Sequence, residues 1–351
     1  MSTTRRGFLA TTAALAGGIA AGQAWGQATS EPAIWEVPEL KTPESTKEGD
    51  MLFRKLGKTG EKVSLLGIGG YHFGTLSTEA AGTKLLRRAI DAGVNFMDNC
   101  WDYLGGRAEE RMGAALKDGW RKKVFLMTKI DGQTKAAAAK QIDESLKRLQ
   151  TDVVDLMQIH ENVRMGDAAR CFGKDPNPGS IEALLEAKKA GKIRYIGFTG
   201  HKSPEIHINM LDVAKKNGFA FDAAQMPLNV MDAHFHSFAR GVVPRLVKEG
   251  VGVLAMKTLG GGGIAGVNGV SATECIQYAM NLPTSVVICG IDSEERLDQG
   301  LNAVKTFKPL DAARQGGILA KTKAAAGSGA YEAFKTSDVY DGTARNPGWL
   351  G

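Results

Sequence analysis

Eight short apolar runs, each followed by a segment with helical spacing, constrain this chain more than any other feature. The runs lie at 64–68, 95–97, 124–128, 153–159, 195–198, 221–225, 252–256 and 285–289. Between them stand patterns such as EAAGTKLLRRAIDAG, KQIDESLKRL, SIEALLEAKKAG and FARGVVPRLVKEG. In the last of these, Phe238, Val242, Leu246 and Val247 are expected on one helical face, with Gly250 closing the helix. Continuous apolar strands alternating with helices indicate a parallel sheet buried on both faces. Eight such units predict an α/β fold, a closed (β/α)8 TIM barrel, with a doubly wound sheet as the structural alternative. Gly57-Lys58-Thr59-Gly60, between two short strand patterns, predicts a β-hairpin ahead of the barrel. DAARQGGILAKTKAAAG predicts one further helix, and residues 328–351 read as a tail without regular structure.

The start of the chain has a different character. In TTRRGFL, Arg5 and Arg6 precede a weak Ala/Gly-rich apolar run, and Gly26-Gln27-Ala28 offers small residues for cleavage. That order predicts a twin-arginine signal peptide over residues 1–28, and a periplasmic or otherwise exported protein that uses the twin-arginine export machinery. The apolar run falls short of the ~20 strongly apolar residues that cross a bilayer, so no stable membrane span is expected in the mature chain. Residues 29–50, rich in Pro, Glu, Lys, Ser and Thr, read as a linker, and the barrel is expected over 51–351.

Composition narrows the function classes. The formal charge of +6 falls to +4 without Arg5 and Arg6, and no long block of Lys or Arg is present. This surplus fits solubility and a bias towards anionic ligands; nucleic acid is not an expected partner. Cys100, Cys171, Cys275 and Cys289 contain no Cys-x-x-Cys pair and read as free, packed thiols. His234 and His236 have the spacing of a metal pair but no evident third ligand, so no metal is expected.

In a barrel of this kind the chemistry gathers at the C-terminal ends of the strands. Asp98 follows NFM, Tyr103 lies five residues on, Lys129 follows VFLMT, and His160 follows VVDLMQI. Taken singly, these are a helix cap, a packed aromatic, a solvated strand end and a satisfied histidine. Together, on three successive strand ends, they indicate one proton-handling site. A tyrosine hydroxyl titrates near ~10, and an adjacent ammonium held by a carboxylate is expected to lower that value. A neutral imidazole is expected to orient a carbonyl oxygen beside the hydroxyl.

NFMDNCWDYLGGRAEERMGAAL, FLMTK, DLMQIH and IRYIGFTG stand in the chain in that order. They resemble the successive motifs of the aldo-keto reductase family, from about Leu52 to the C-terminus. The resemblance implies a catalytic tetrad of Asp98, Tyr103, Lys129 and His160. Tyr103 would act as general acid in reduction and as base in oxidation, Lys129 would tune it, Asp98 would hold Lys129, and His160 would orient the carbonyl. It implies hydride transfer between a nicotinamide cofactor, NADP or NAD, and the carbonyl or alcohol of a small molecule. A catalytically silent nicotinamide-nucleotide-binding barrel subunit is the alternative.

The implied cofactor residues match the family pattern unevenly. Gln225 takes the place of a glutamine at the nicotinamide carboxamide, whereas Thr199 and Gly200 stand where the family has Ser-Asn. Met256 replaces a stacking aromatic. Leu259, Gly260, Gly261 and Gly262 are expected along the pyrophosphate; the Gly-x-Gly-x-x-Gly match at Gly261, Gly263 and Gly266 lacks the acid about twenty residues on that a Rossmann fingerprint has. Asp292 and Ser293 are expected at the adenosine end, where Asp292 disfavours a 2′-phosphate and leaves the choice of NADP or NAD open. Tyr71, His72 and Trp101 are expected at the barrel mouth as substrate contacts.

Overall fold

Glycines and polar residues interrupt the apolar runs at regular intervals, and the chain winds accordingly in the computed structural model, which describes residues 40–351. The expected signal at 1–28 and the first part of the expected linker lie outside the described residues. Three strands, β1 (Thr46–Glu48), β2 (Met51–Lys55) and β3 (Lys62–Ser64), form an antiparallel sheet in the order β1-β2-β3. Its β2–β3 part is the hairpin expected around Gly57–Gly60. The pairing of Thr46–Glu48 with β2 brings part of the stretch read as a linker into a sheet, and Thr42 donates to the Asn281 carbonyl at 2.6 Å.

The barrel strands follow: β4 (Leu66–Gly69), β5 (Phe96–Asp98), β6 (Phe125–Ile130), β7 (Val154–Ile159), β8 (Ile193–Thr199), β9 (Ala223–Pro227), β10 (Gly252–Met256) and β11 (Val286–Gly290). All pair in parallel, in chain order, and β11 returns to β4 to close a (β/α)8 barrel. Side chains alternate along each strand, so every second residue points into the barrel. Phe96, Phe125, Met127, Leu156, Ala223, Leu254, Val286 and Ile288 form one inner cluster, joined by Leu56 and Val63 from the hairpin. Phe96 and Phe125 stack at 5.4 Å between ring centroids. The larger cluster lies between the strands and the surrounding helices. On Glu79–Asp91, for instance, Leu85, Leu86, Ala89 and Ile90 are buried, and the Thr78 side chain caps the first turn by accepting from the Ala81 amide.

Two local expectations need correction. The pattern FARGVVPRLVKEG is two short helices, Phe238–Gly241 and Val243–Glu249, because Pro244 cannot continue the first helix and starts the second. Phe238, Val242 and Leu246 are buried, but Val247 turns outward and is 50% exposed. The second correction concerns the C-terminus. The helix Ala312–Ala326 forms as expected, but the following residues are an ordered strap with short helical turns at Ala333–Thr336, Gly342–Arg345 and Pro347–Trp349.

The strap is held by buried charge as well as by apolar contact, which hydropathy alone does not reveal. Lys335 Nζ donates to Asp232 (2.7 Å), Glu332 (3.0 Å) and the Phe235 carbonyl (2.7 Å). The Glu161 carboxylate accepts from the amides of Gly342 and Thr343 at 3.0 and 2.8 Å. The Leu350 carbonyl accepts from the amides of Gln133 and Thr134. Among the described residues, no helix is long and apolar enough to cross a membrane.

Candidate active site

Strand parity builds the site. Continuing the inward-facing positions upward from the apolar cluster leads from Phe96 to Asp98, from Met127 to Lys129, from Leu156 through Gln158 to His160, and from Ala223 to Gln225. The barrel interior therefore changes from hydrocarbon to polar and charged groups within about one residue pair per strand. Adjacent strands hold Lys129 opposite Gln158, and Thr199 opposite Gln225.

Tyr103 arrives from the loop after β5. Hydrogen bonds extend the β5–β6 ladder into this loop, with the Asn99 amide donating to the Met127 carbonyl and the Trp101 amide to the Lys129 carbonyl. A tight turn over Tyr103–Gly106 then leads into the helix Arg107–Ala115. Buried Glu109 on that helix accepts from the Thr128 hydroxyl at 2.6 Å, and Arg148 donates to the Trp101 carbonyl at 2.7 Å. The loop is thereby clamped to β6 and to the next helix.

Three of the four expected residues share one ammonium. Lys129 Nζ donates to Asp98 Oδ1 at 2.5 Å, to the Asn99 carbonyl at 2.7 Å and to the Tyr103 hydroxyl at 3.3 Å. His160 completes the group with its ring edge-on to Tyr103, 5.9 Å between centroids. Burial works against the Lys129 charge, but Asp98 and Tyr103 raise its pKa well above the ordinary lysine range. The Tyr103 hydroxyl behaves differently from the sequence expectation. Burial pushes it well above the ordinary phenol range and outweighs the opposing effect of Lys129.

His160 also departs from the neutral imidazole expected. Burial lowers its pKa, yet Asp131 and Asp102 more than offset this and raise it to about 9. Its Nδ1 lies 2.8 Å from Asp131 Oδ1, 3.2 Å from Cys100 Sγ and 3.7 Å from Asp102 Oδ1. Asp131 and Asp102 escaped the sequence reading, since each stands one or two places from a residue already assigned a role.

The groups expected at the cofactor lie around the same mouth. Gln225 Nε2 donates to Asp98 Oδ2 at 3.1 Å, and its Oε1 is buried without a partner. Thr199 is buried at the end of β8. Gly200 has a steric explanation: a Cβ there would lie 2.3 Å from the Asn162 carbonyl oxygen. Asn162, which sequence reading missed, instead brings an amide to this corner. Its Nδ2 donates to the Thr199 carbonyl at 2.9 Å, and its Oδ1 is buried and unpartnered. The unpartnered amide oxygens of Gln225 and Asn162 fit a ligand that carries an amide N–H, as nicotinamide does.

Met256 ends β10, and Leu259 leads into the turn Gly260–Gly262, where all three glycines have positive φ. Only short 3-10 turns, Gly260–Gly262 and Val267–Gly269, form there; the next α-helix starts at Ala272, capped by Ser271, which sets the loop apart from a Rossmann phosphate turn. Lys257 was not foreseen either. Its ammonium lies 5.1 Å from the ring centroids of both Phe334 and Tyr340 on the strap, and burial lowers its pKa to about 8. A lysine directly after a strand was the available signal. Asp292 is exposed, while Ser293 accepts from the Arg296 amide and caps the helix Glu294–Lys305.

At the rim, Tyr71 is exposed and packs edge-on against Tyr103 at 5.6 Å, with His72 beside it. Trp101 is engaged elsewhere: its indole donates to Glu144 at 2.7 Å, Arg148 lies over the ring, and Trp349 of the strap packs against its edge. His234 Nε2 meets the Leu319 carbonyl and the Thr322 hydroxyl. All four cysteines are free and buried.

Comparison with known proteins agrees with the barrel fold. The model of the aldo/keto reductase family matches residues 65–269. An aldo-keto reductase of Alternaria alternata is 25% identical over 77% of this chain and 92% of its own length. The Escherichia coli protein tas is 31% identical over 62% of this chain and 70% of its own. L-galactose dehydrogenase of Arabidopsis thaliana is 31% identical over 59% of this chain and 65% of its own. Among solved structures, the holo form of an aldo-keto reductase from Bacillus halodurans superposes with a TM-score of 0.63, at 24% identity, over 77% of this chain and 96% of that one.

Proposed function

The chain belongs to the aldo/keto reductase family, an NAD(P)-dependent oxidoreductase, and we infer that Tyr103 is the group that exchanges a proton with the substrate oxygen. The observation that carries this reading is the shared Lys129 ammonium, which touches both Asp98 and the Tyr103 hydroxyl at the barrel mouth. A nicotinamide cofactor held at the barrel mouth would supply or accept the hydride. Tyr103 donates its phenolic proton to the carbonyl oxygen in reduction and takes it back in oxidation. Lys129 stabilises the phenolate left behind, and Asp98 keeps that ammonium in place. His160 positions the substrate oxygen within reach of the hydroxyl.

Gln225, Thr199 and Asn162 are proposed to hold the nicotinamide end, with Met256 packing against its ring. The turn Gly260–Gly262 lets backbone amides approach the pyrophosphate without side chains in the way, and Lys257 adds positive charge beside it. Tyr71 and His72 at the open rim favour a small substrate with an aromatic or sugar-like face. A panel of aldehydes and ketones added to protein with reduced cofactor should quench the cofactor fluorescence. Binding of cofactor without consumption across the whole panel would instead mark a silent nucleotide-binding subunit.

Asp292 is proposed to bias the adenosine end towards a free 2′-hydroxyl. Its exposure means that water screens any ion pair formed there. Asp292→Arg should therefore shift the ratio of NADP(H) to NAD(H) dissociation constants about fivefold towards NADP(H), near ~1 kcal/mol, the upper end for an exposed pair. Titrating both cofactors into both proteins checks this, and an unchanged ratio assigns the discrimination to other residues.

The N-terminal TTRRGFL supports a further part of the reading, export by the twin-arginine route. A protein exported folded can carry a cofactor loaded before transport.

A further inference from the structure

We propose that Cys100, Asp102, Asp131 and His160 form a divalent-cation site of zinc type on the Nδ1 edge of the imidazole. One donor atom from each of the four, a thiol sulfur, an imidazole nitrogen and two carboxylate oxygens, lies within 4.8 Å of the other three. Zinc takes just these donor types, at about 2.3 Å from sulfur and about 2.0–2.2 Å from nitrogen or oxygen. A tetrahedron with those bond lengths has edges of about 3.3–3.7 Å. Cys100 Sγ and Asp102 Oδ1 already stand 3.2 and 3.7 Å from His160 Nδ1.

The third edge at the imidazole, 2.8 Å from Asp131 Oδ1 to His160 Nδ1, is a hydrogen bond and opens if an ion takes the nitrogen. Two unpartnered oxygens point independently to a ligand. Asp131 is 0% exposed and its Oδ2 has no hydrogen-bond partner, and Asp102 Oδ1 is buried without one. Buried carboxylate oxygens are costly to leave unpaired. Two acids share one imidazole here, and a dication would answer both.

Binding requires the Cys100 thiolate and a bare His160 Nδ1, so the thiol proton and any Nδ1 proton pass to water as the ion enters. An ion at Nδ1 leaves the remaining ring proton on Nε2. The imidazole is then fixed as a donor from Nε2, with its orientation set by the metal instead of by one hydrogen bond. The site stands on its own donor geometry and does not depend on the proton role assigned to Tyr103.

The test is metal content and spectroscopy on the full protein, with no turnover measured. Protein equilibrated with micromolar zinc and dialysed should retain about one zinc per chain. Cobalt in its place should give a thiolate-to-cobalt charge-transfer band. Cys100→Ser should lose that band although Cys171, Cys275 and Cys289 remain. Asp131→Asn should keep the band but weaken zinc binding by ~10–100-fold or more. Absence of both zinc and the band in the wild type overturns the proposal, as does a band that survives in Cys100→Ser. If Cys100→Ser does not fold, Asp131→Asn decides, and unchanged zinc affinity in that variant also overturns it.

Discussion

Tyr103→Phe is expected to lower turnover by ~10²–10⁴ while cofactor affinity stays within a few-fold, the usual loss when a positioned acid is removed. The structure explains why the effect should be this selective. Lys129 keeps its bonds to Asp98 and to the Asn99 carbonyl when the phenolic oxygen is removed, so the buried charge retains its partners. The ring continues to pack edge-on against Tyr71 and His160. Gln225, Thr199 and Asn162 make no hydrogen bond to the Tyr103 hydroxyl, so the proposed nicotinamide contacts are untouched. Steady-state rates with a consumed carbonyl, read beside cofactor binding, check both halves. Near-normal turnover would take Tyr103 out of the mechanism, and a parallel loss of cofactor binding would mean that the loop had collapsed.

The barrel was legible because each strand carries its own signature. A polar residue on the inward face of an otherwise apolar run marks where that face reaches the mouth, as at Asp98, Lys129 and Gln225. The hairpin was legible from its glycines. Less legible was anything held by pairing between distant segments. Glu161, Asp232, Glu332 and Lys335 belong to no motif in the sequence, yet they fasten the C-terminal strap. Val247 was placed on the wrong face because a continuous helix was assumed across Pro244.

The chemistry of the mouth was hidden for a related reason. Cys100, Asp102, Asp131 and His160 follow three different strands, so no linear spacing links them. Metal motifs are readable when one helix or loop supplies several ligands. Convergence of strand ends becomes visible only once the barrel closes. The same geometry corrected the electrostatics. Their placement at successive strand ends suggested that Lys129 would lower the Tyr103 pKa, but burial, which no pattern in the sequence reports, decides the direction.

Arg5→Lys combined with Arg6→Lys should abolish export and leave the protein in the cytoplasm, if TTRRGFL is the twin-arginine signal we propose. Fractionation of cells that express the two forms reads this directly. The reason for folded export yields a linked expectation. Nicotinamide cofactors are made and recycled inside the cell, and an exported enzyme that released its cofactor could not readily replace it. The barrel would therefore carry its dinucleotide out. The buried amides of Gln225 and Asn162 would hold one end, the Gly260–Gly262 turn and Lys257 would hold the pyrophosphate, and the strap would lie over the lysine. Retention through dialysis needs only nanomolar binding, about −12 kcal/mol, within reach of a largely buried dinucleotide. Catalysis would then alternate, with one substrate reducing the held cofactor and a second oxidising it again. Wild-type protein recovered from outside the cytoplasm should contain close to one nicotinamide dinucleotide per chain, measured by mass spectrometry after denaturation. Exported protein that is empty, and that works only with cofactor added in solution, would show that the held-cofactor idea is wrong even if both arginines are needed for export.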